Sequence, residues 1–327
     1  MPEIWLIMKF LRLSTTDPYY NLAVEEYLLR NTEEEVFMLW QNAPTVVIGK
    51  NQNAFAEVAL PYARENGILV ARRLSGGGAV YHDGGNVNYT LVCAAKAESV
   101  DYAPYTRPIL DALASLGILA TLSGRNDLEW EGKKISGNAQ YRAGGRLLHH
   151  GTLLFDTDVE RMNAVLRTDR EKLAARAVAS HKGRVENLAT RLFPLSVDGF
   201  IDRIEHFVRK GTGAEPLVLP DDAAPVIEAL RARNASDAWI YAERRYLRDY
   251  TLTRRKKYPF GLVEVALTLS GETVEAVRFT GDFFGTAPIE TLESALVGAS
   301  LTTLPSLDPS PYIAGMTVGE LISLLTE

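Results

Sequence analysis

Apolar positions recur along this chain with two periods, and the predicted element changes wherever the period does. Asp17 followed by Pro18 marks a helix start, a capping carboxylate ahead of a proline at the first helical position. Tyr20, Ala23, Val24, Tyr27 and Leu28 then form one apolar stripe, with Glu25 and Glu26 pointing off it. Ahead of it, the apolar residues 1–10 predict a first strand. Short apolar runs at 36–40 and 45–48 flank the turn-like Gln41-Asn42-Ala43-Pro44 and predict two more strands. Residues 69–71 and 88–95 add strands, a helix over 108–116 stops at Gly117, and 118–122 returns to extended structure. Turns at Trp130-Glu131-Gly132 and Arg142-Ala143-Gly144-Gly145-Arg146 bracket an extended segment, and 153–155 closes this half as a strand.

The second half turns helical, at 159–166, 170–177, 197–208 and 223–233. Ser196 caps the third of these and Gly211 lies past its end. A hairpin over 262–269 and 274–279 turns at Ser270-Gly271. Helices at 289–297 and 317–325 finish the chain, the last opened by a Thr317/Glu320 capping box. Glycine-connected strands interrupted irregularly by helices predict a mixed sheet in an α+β or α/β fold, not a regular βαβ array. Composition shifts between Tyr246 and Arg254, placing a first domain at 1–248 and a small α+β domain at 249–327. The basic run Arg254-Arg255-Lys256-Lys257 reads as a solvated linker there, ahead of the alternative of a contact surface for an acidic partner.

Bulk properties narrow the class. The chain has 327 residues, 46% hydrophobic and 23% charged, enough for a sizeable core. Its net charge of −6 argues against a nucleic-acid partner held through phosphates. Cys93 is the single cysteine, so no internal disulfide forms; it lies in an apolar run, a poor place for a nucleophile. No apolar run reaches the roughly 20 residues that span a bilayer. A cytoplasmic protein with no membrane partner is expected.

The chemistry concentrates at Arg72-Arg73-Leu74-Ser75-Gly76-Gly77-Gly78-Ala79-Val80-Tyr81-His82-Asp83-Gly84-Gly85-Asn86. Glycine lets backbone N–H groups turn toward a ligand, and two guanidiniums add planar charged donors. An anion-binding loop fits this better than a plain hairpin turn. Neither the Walker pattern nor the dinucleotide fingerprint is present, since Tyr81 stands where the third glycine of the latter belongs. Lys134 reads either as a solvated hairpin lysine or as a second contact to the same anion; Lys133 alternates to the other face. Asn126 and Asp127 suit a magnesium ion or an Asx turn. The polar loop Gly49-Lys50-Asn51-Gln52-Asn53 sits beside a pocket or in solvent. His82, His149 and His150 lack the spacing of a zinc site.

In order along the chain, Asp17-Pro18-Tyr19-Tyr20-Asn21-Leu22-Ala23-Val24-Glu25-Glu26, the glycine-rich stretch, Gly124-Arg125-Asn126-Asp127, Lys134-Ile135-Ser136-Gly137-Asn138-Ala139 and His149-His150-Gly151-Thr152-Leu153-Leu154 resemble lipoate–protein ligases. Pro259-Phe260-Gly261 and Gly281-Asp282-Phe283-Phe284-Gly285 are similar to the accessory domain of the bacterial members. The resemblance implies a biotin/lipoyl ligase-like α+β catalytic domain and an activity in two steps. ATP, with Mg2+, would activate lipoic acid to lipoyl-AMP, and the acyl group would pass to one lysine of an apo-lipoyl domain or the glycine-cleavage H protein. By matching position it assigns Arg73, Gly76, Gly77, Gly78, Ala79, Val80, Tyr81, Asn86, Asp127, His150 and Thr152 to ligand binding. Lys134 would be catalytic, touching both carboxylate and phosphate, and Asp127 would also be the magnesium ligand. The alternative is an ATP-independent lipoyl or octanoyl transferase between carrier proteins; such relatives use a thiol, and Cys93 stands elsewhere.

Overall fold

Strand Asn86–Ala94 is buried on both faces, which requires cover on each side of the sheet that contains it. In chain order the strands are β1 Met8–Arg12, β2 Glu35–Trp40, β3 Thr45–Ile48, β4 Leu69–Arg72, β5 Val80–His82, β6 Asn86–Ala94, β7 Thr121–Ser123, β8 Asp127–Trp130, β9 Lys133–Ala143, β10 Arg146–Leu154, β11 Glu215–Pro216, β12 Leu252–Tyr258, β13 Gly261–Ser270 and β14 Thr273–Gly281. The main helices are α1 Pro18–Asn31, α2 Ala103–Ser115, α3 Val197–Thr212, α4 Ala223–Asn234, α5 Ile289–Leu296 and α6 Val318–Thr326. The computed structural model describes residues 8–95, 101–167, 185–242, 249–303 and 307–326. The helix expected at 170–177, residues 1–7 of the first strand and 246–248 of the expected boundary lie outside the described residues.

Contacts divide the chain into two discontinuous units: Met1–Val47 with Val58–Ala71 and Val80–Ala235, and Ile48–Glu57 with Arg72–Ala79 and Ser236–Glu327. The first holds a mixed sheet in the order β11-β1-β2-β6-β10-β9-β8-β7, parallel at β11-β1-β2 and antiparallel beyond. This is the mixed α+β architecture expected. Alternation sorts β6 cleanly. Val87, Tyr89, Leu91 and Cys93 join the core with Ile109 and Leu113 of α2 and Phe200 and Ile204 of α3. Thr90, between them, donates to Glu25 of α1 on the opposite face.

Two sequence expectations for α1 meet different fates. Asp17 caps it, accepting from the Tyr19 and Tyr20 amides at 2.8 and 3.2 Å. Glu25 and Glu26, however, do not point to solvent; both are buried. The helix lies between the sheet and α4, so it has no wet face. Glu26 is offset by Arg30 at 2.9 Å and by Arg233. Helix α2 begins five residues before its expected start and takes Pro108 inside, because its buried stripe extends back to Tyr105. Gly211 lies within α3, which ends instead at Gly213 with φ +69°. Strands β9 and β10 run on to Ala143 and from Arg146, leaving only Gly144-Gly145 as the turn, both with φ > 0.

In the second unit β12, β13 and β14 form an antiparallel sheet whose apolar face packs with α5 and α6. The basic run is therefore an edge strand, not a linker: its backbone pairs with β13 from Leu252↔Leu267 to Tyr258↔Gly261. The capping box forms as expected, Glu320 accepting from the Thr317 amide and hydroxyl at 2.8 and 2.9 Å.

Candidate active site

Arg72 closes β4, Arg73 follows it, and the two do different work. The buried Arg72 guanidinium donates through Nη1 to the carbonyls of Gly49, Lys50 and Gln52 at 3.0, 2.9 and 2.7 Å. Through Nη2 it reaches Ile240 O at 2.6 Å, and Nε points at Trp239 O and Ile240 O. Carbonyl dipoles replace the water a buried cation has lost. Arg72 thus anchors backbone, which corrects the expectation that both arginines present donors to an anion. Arg73 curls over the loop it precedes, donating to Ser75 Oγ at 3.0 Å and to the carbonyls of Gly76 and Gly78 at 2.6 and 2.9 Å.

The three glycines also separate. A Cβ on Gly76 would lie 2.4 Å from the Phe283 carbonyl oxygen. Gly77 has φ +90° and donates to that same oxygen at 3.2 Å. Both are glycine for reasons internal to this unit. Gly78 is exposed, and a Cβ there would meet nothing within 4 Å. Among the described residues no contact demands glycine at that position. The polar loop 49–53 backs this turn and is not simply solvated: Asn51 and Gln52 are buried, and Lys50 N donates to Ser75 O at 2.8 Å.

Ala79 ends this segment of the second unit, and the remaining candidate positions, from Val80 at the start of β5 onward, belong to the first. Tyr81 on β5 is buried with its hydroxyl unpartnered among the described residues, and burial pushes its pKa up to about 12, with Asp83 adding. Asp83 pins the following turn by accepting from the Gly85 and Asp158 amides at 2.9 and 2.8 Å. Burial raises its pKa, although those bonds pull the other way. Asn86 is fully buried and donates to Asn88 at 2.8 Å.

Strand β9 carries the lysines. Its pairing with β8 slips between Leu128↔Ser136 and Glu129↔Lys134, a bulge that gives β9 one extra residue. Lys134 Nζ meets Asp127 Oδ1 at 2.8 Å, both side chains about one-third exposed (37% and 34%). Lys133 pairs elsewhere, with Glu186. The Lys134 side chain lies over Gly137, where a Cβ would stand 3.0 Å from Nζ. Thr152 Oγ1 accepts from the Gly137 amide at 3.2 Å, so Lys134, Asp127 and Thr152 gather on one stretch of sheet. His150 faces α1, with Nδ1 3.0 Å from Glu25 Oε1; Thr90 donates to that carboxylate at 2.5 Å and Trp40 Nε1 to Thr90 at 2.9 Å. The burial of Glu25 is not legible in the sequence, which only sets it off the apolar stripe of α1. Among the described residues no group of three His, Cys, Asp or Glu could hold a metal.

The family described as the lipoyl protein ligase A/B catalytic domain matches residues 17–208, more than half of the chain. The chain belongs to the lipoate–protein ligase family. The bacterial lipoate protein ligase C-terminus matches residues 248–325 as well. Among curated ligases, lipoate-protein ligase LplJ of Bacillus subtilis is 34% identical over 86% of this chain and 87% of its own length. Lipoate–protein ligase 1 of Staphylococcus aureus is 36% identical over 89% and 90%. Among solved structures, a lipoate-protein ligase A bound with ATP superposes with TM-score 0.62 at 25% identity, over 72% of this chain and 99% of its own. A Plasmodium falciparum protein in complex with lipoate has TM-score 0.74 at 23% identity over 94% and 92%, which shows the shared ligase fold. No helix among the described residues is long and apolar enough to cross a membrane.

Proposed function

We propose that this ligase joins ATP and lipoic acid in a first step and acylates a carrier lysine in a second. In the first, a lipoate carboxylate oxygen attacks the α-phosphorus; the bond to the bridging oxygen breaks and pyrophosphate leaves. In the second, the ε-amine of an apo-lipoyl domain or H-protein lysine attacks the acyl carbon. The carbon–oxygen bond to AMP breaks, and the amine loses a proton. The observation that carries the reading is the partly exposed Lys134 ammonium, held at 2.8 Å by Asp127 over the bare Cα of Gly137. Charge fixed in advance beside a carboxyl–phosphate centre stabilises the transition state without reorganisation.

Lys134 is the catalytic residue in this proposal, with Arg73, Gly76, Gly77, Gly78, Ala79, Val80, Tyr81, Asn86, His150 and Thr152 as binding positions. Gly78 supports it specifically, since its bare Cα leaves the backbone open to close approach by a phosphate. Magnesium is usually held by one or two carboxylates plus the phosphates themselves. Asp127 fits that sparse donor set as one oxygen ligand, and the ion would supply charge neutralisation to the phosphates. Residues 1–248 would form the catalytic domain and 249–327 the accessory domain of a cytoplasmic enzyme. The ATP-independent transferase has less support, because Cys93 is buried in the core and offers no accessible thiol.

The test is pyrophosphate release with ATP, magnesium and lipoic acid, followed by the mass gain of an added apo-lipoyl domain. Lys134→Ala is expected to abolish release yet to lower stability by only about 0–1 kcal/mol, the scale of an exposed ion pair. Release near the parent rate would refute the assignment of Lys134.

A further inference from the structure

Strands β6 and β9 are not neighbours; β10 lies between them, and Tyr89, Gly151 and Asn138 occupy one row across all three. Strands two apart are separated by on the order of 10 Å, so their side chains normally meet only the intervening one. Here the intervening residue has no side chain. A Cβ on Gly151 would fall 2.3 Å from Asn138 Oδ1 and 2.6 Å from the Tyr89 hydroxyl. Through that gap the fully buried Tyr89 hydroxyl donates to Asn138 Oδ1.

Asn138 in turn clamps the turn that carries Asp127. Its amide and its Nδ2 both donate to the Asn126 carbonyl, at 2.9 and 3.0 Å, and Asn126 Nδ2 donates back to the Asn138 carbonyl. Asp127 is the first residue of β8, one position beyond the 124–126 turn and two before the bulge. Strand ends next to irregular pairing fray most readily. The clamp therefore acts where the ladder alone holds Asp127 least firmly.

We propose that Asn138, oriented by Tyr89 across the bare Cα of Gly151, is a positioning residue that fixes the Asp127–Lys134 pair. This rests on the role given to Lys134 above. Asn138 presents two atoms with opposite duties: Oδ1 must accept from tyrosine while Nδ2 must donate to the Asn126 carbonyl. Aspartate at 138 could accept but not donate. Phenylalanine at 89 keeps the ring and removes only the donor.

The experiment compares the full-length parent with Tyr89→Phe, Asn138→Asp and Lys134→Ala. Brief acetylation followed by mass spectrometry gives the labelling of Lys134 relative to Lys133, and pyrophosphate release gives kcat. The expected result for Tyr89→Phe and for Asn138→Asp is Lys134 labelling raised by at least about threefold over Lys133, with kcat down by about tenfold. Loss of a merely structural bond would raise labelling at all lysines together, and that outcome, or no change at Lys134, would overturn the inference. If Asn138→Asp fails to fold, Tyr89→Phe alone decides. Selective labelling unchanged while Lys134→Ala is dead would sink the positioning role and leave the catalytic reading standing. Full activity in Lys134→Ala would remove both.

Discussion

His149 and His150 are adjacent in sequence and opposite in environment. His150 turns toward α1 and the Glu25 carboxylate, whereas His149 turns into the core among the rings of Tyr89, Tyr102 and Tyr105. Gln140 Nε2 donates to His149 Nδ1 at 3.2 Å, which leaves the neutral ring protonated on Nε2. Burial, more than its neighbour His150, lowers the His149 pKa from 6.5 to about 3. Between those values the unfolded chain binds the proton and the folded one refuses it, so stability present above about pH 6.5 is lost as pH falls toward 3. His149→Gln cannot titrate. Urea unfolding between about pH 4.5 and 6 should show the parent losing about 1 kcal/mol per pH unit more than this variant. Equal slopes would place the proton on His149 in the fold. Neither histidine announced its side in the sequence as clearly as an apolar residue does, and β10 was read as a strand only from 153 for that reason.

At the scale of elements, helix starts were the most legible features. The caps at Asp17 and Ser196 and the capping box at Thr317 formed because a local carboxylate or hydroxyl meets local amides, needing no distant partner. The run Arg254 to Lys257 was misread for a related reason: four consecutive cations show no alternation, yet a strand at a sheet edge can carry them. Arg255, Lys256 and Lys257 are exposed, and among the described residues β12 pairs on one side only, with β13. Charge on an open edge discourages pairing with another chain. Arg254 instead meets the last carbonyls of α6, at Leu325 and Thr326, where a cation is favourable. Replacing Arg255 and Lys256 together by valine should leave the melting temperature nearly unchanged and speed aggregation on mild heating, read by light scattering. Unaltered scattering would show that the edge is protected by something other than charge.

At the scale of the whole molecule, compact units do not follow chain order. The glycine-rich loop packs with residues 236–327: Gly77 donates to Phe283 O, and Gly281 donates to Asn51 O at 3.0 Å. A fragment 249–327 lacks Asn51 and the loop, so its Gly281 amide should exchange hydrogen faster than in the full chain. Equal protection would mean that these loops add nothing to that unit. The sequence by itself determined what depends on near neighbours: helix caps, the β13–β14 hairpin (its turn falling at Gly271-Glu272, one residue beyond the Ser270-Gly271 expected), the mixed α+β class, and motifs long enough to place the chain among lipoate–protein ligases. Tertiary structure decided what depends on partners far along the chain. It separated Arg72, bound to carbonyls at 49–52 and 239–240, from Arg73, which shapes the loop. It buried Glu25 against His150, and it let Tyr89 reach Asn138 across Gly151. Hydrophobic period reports whether a side chain leaves water; only the fold says which polar group replaces the water it left.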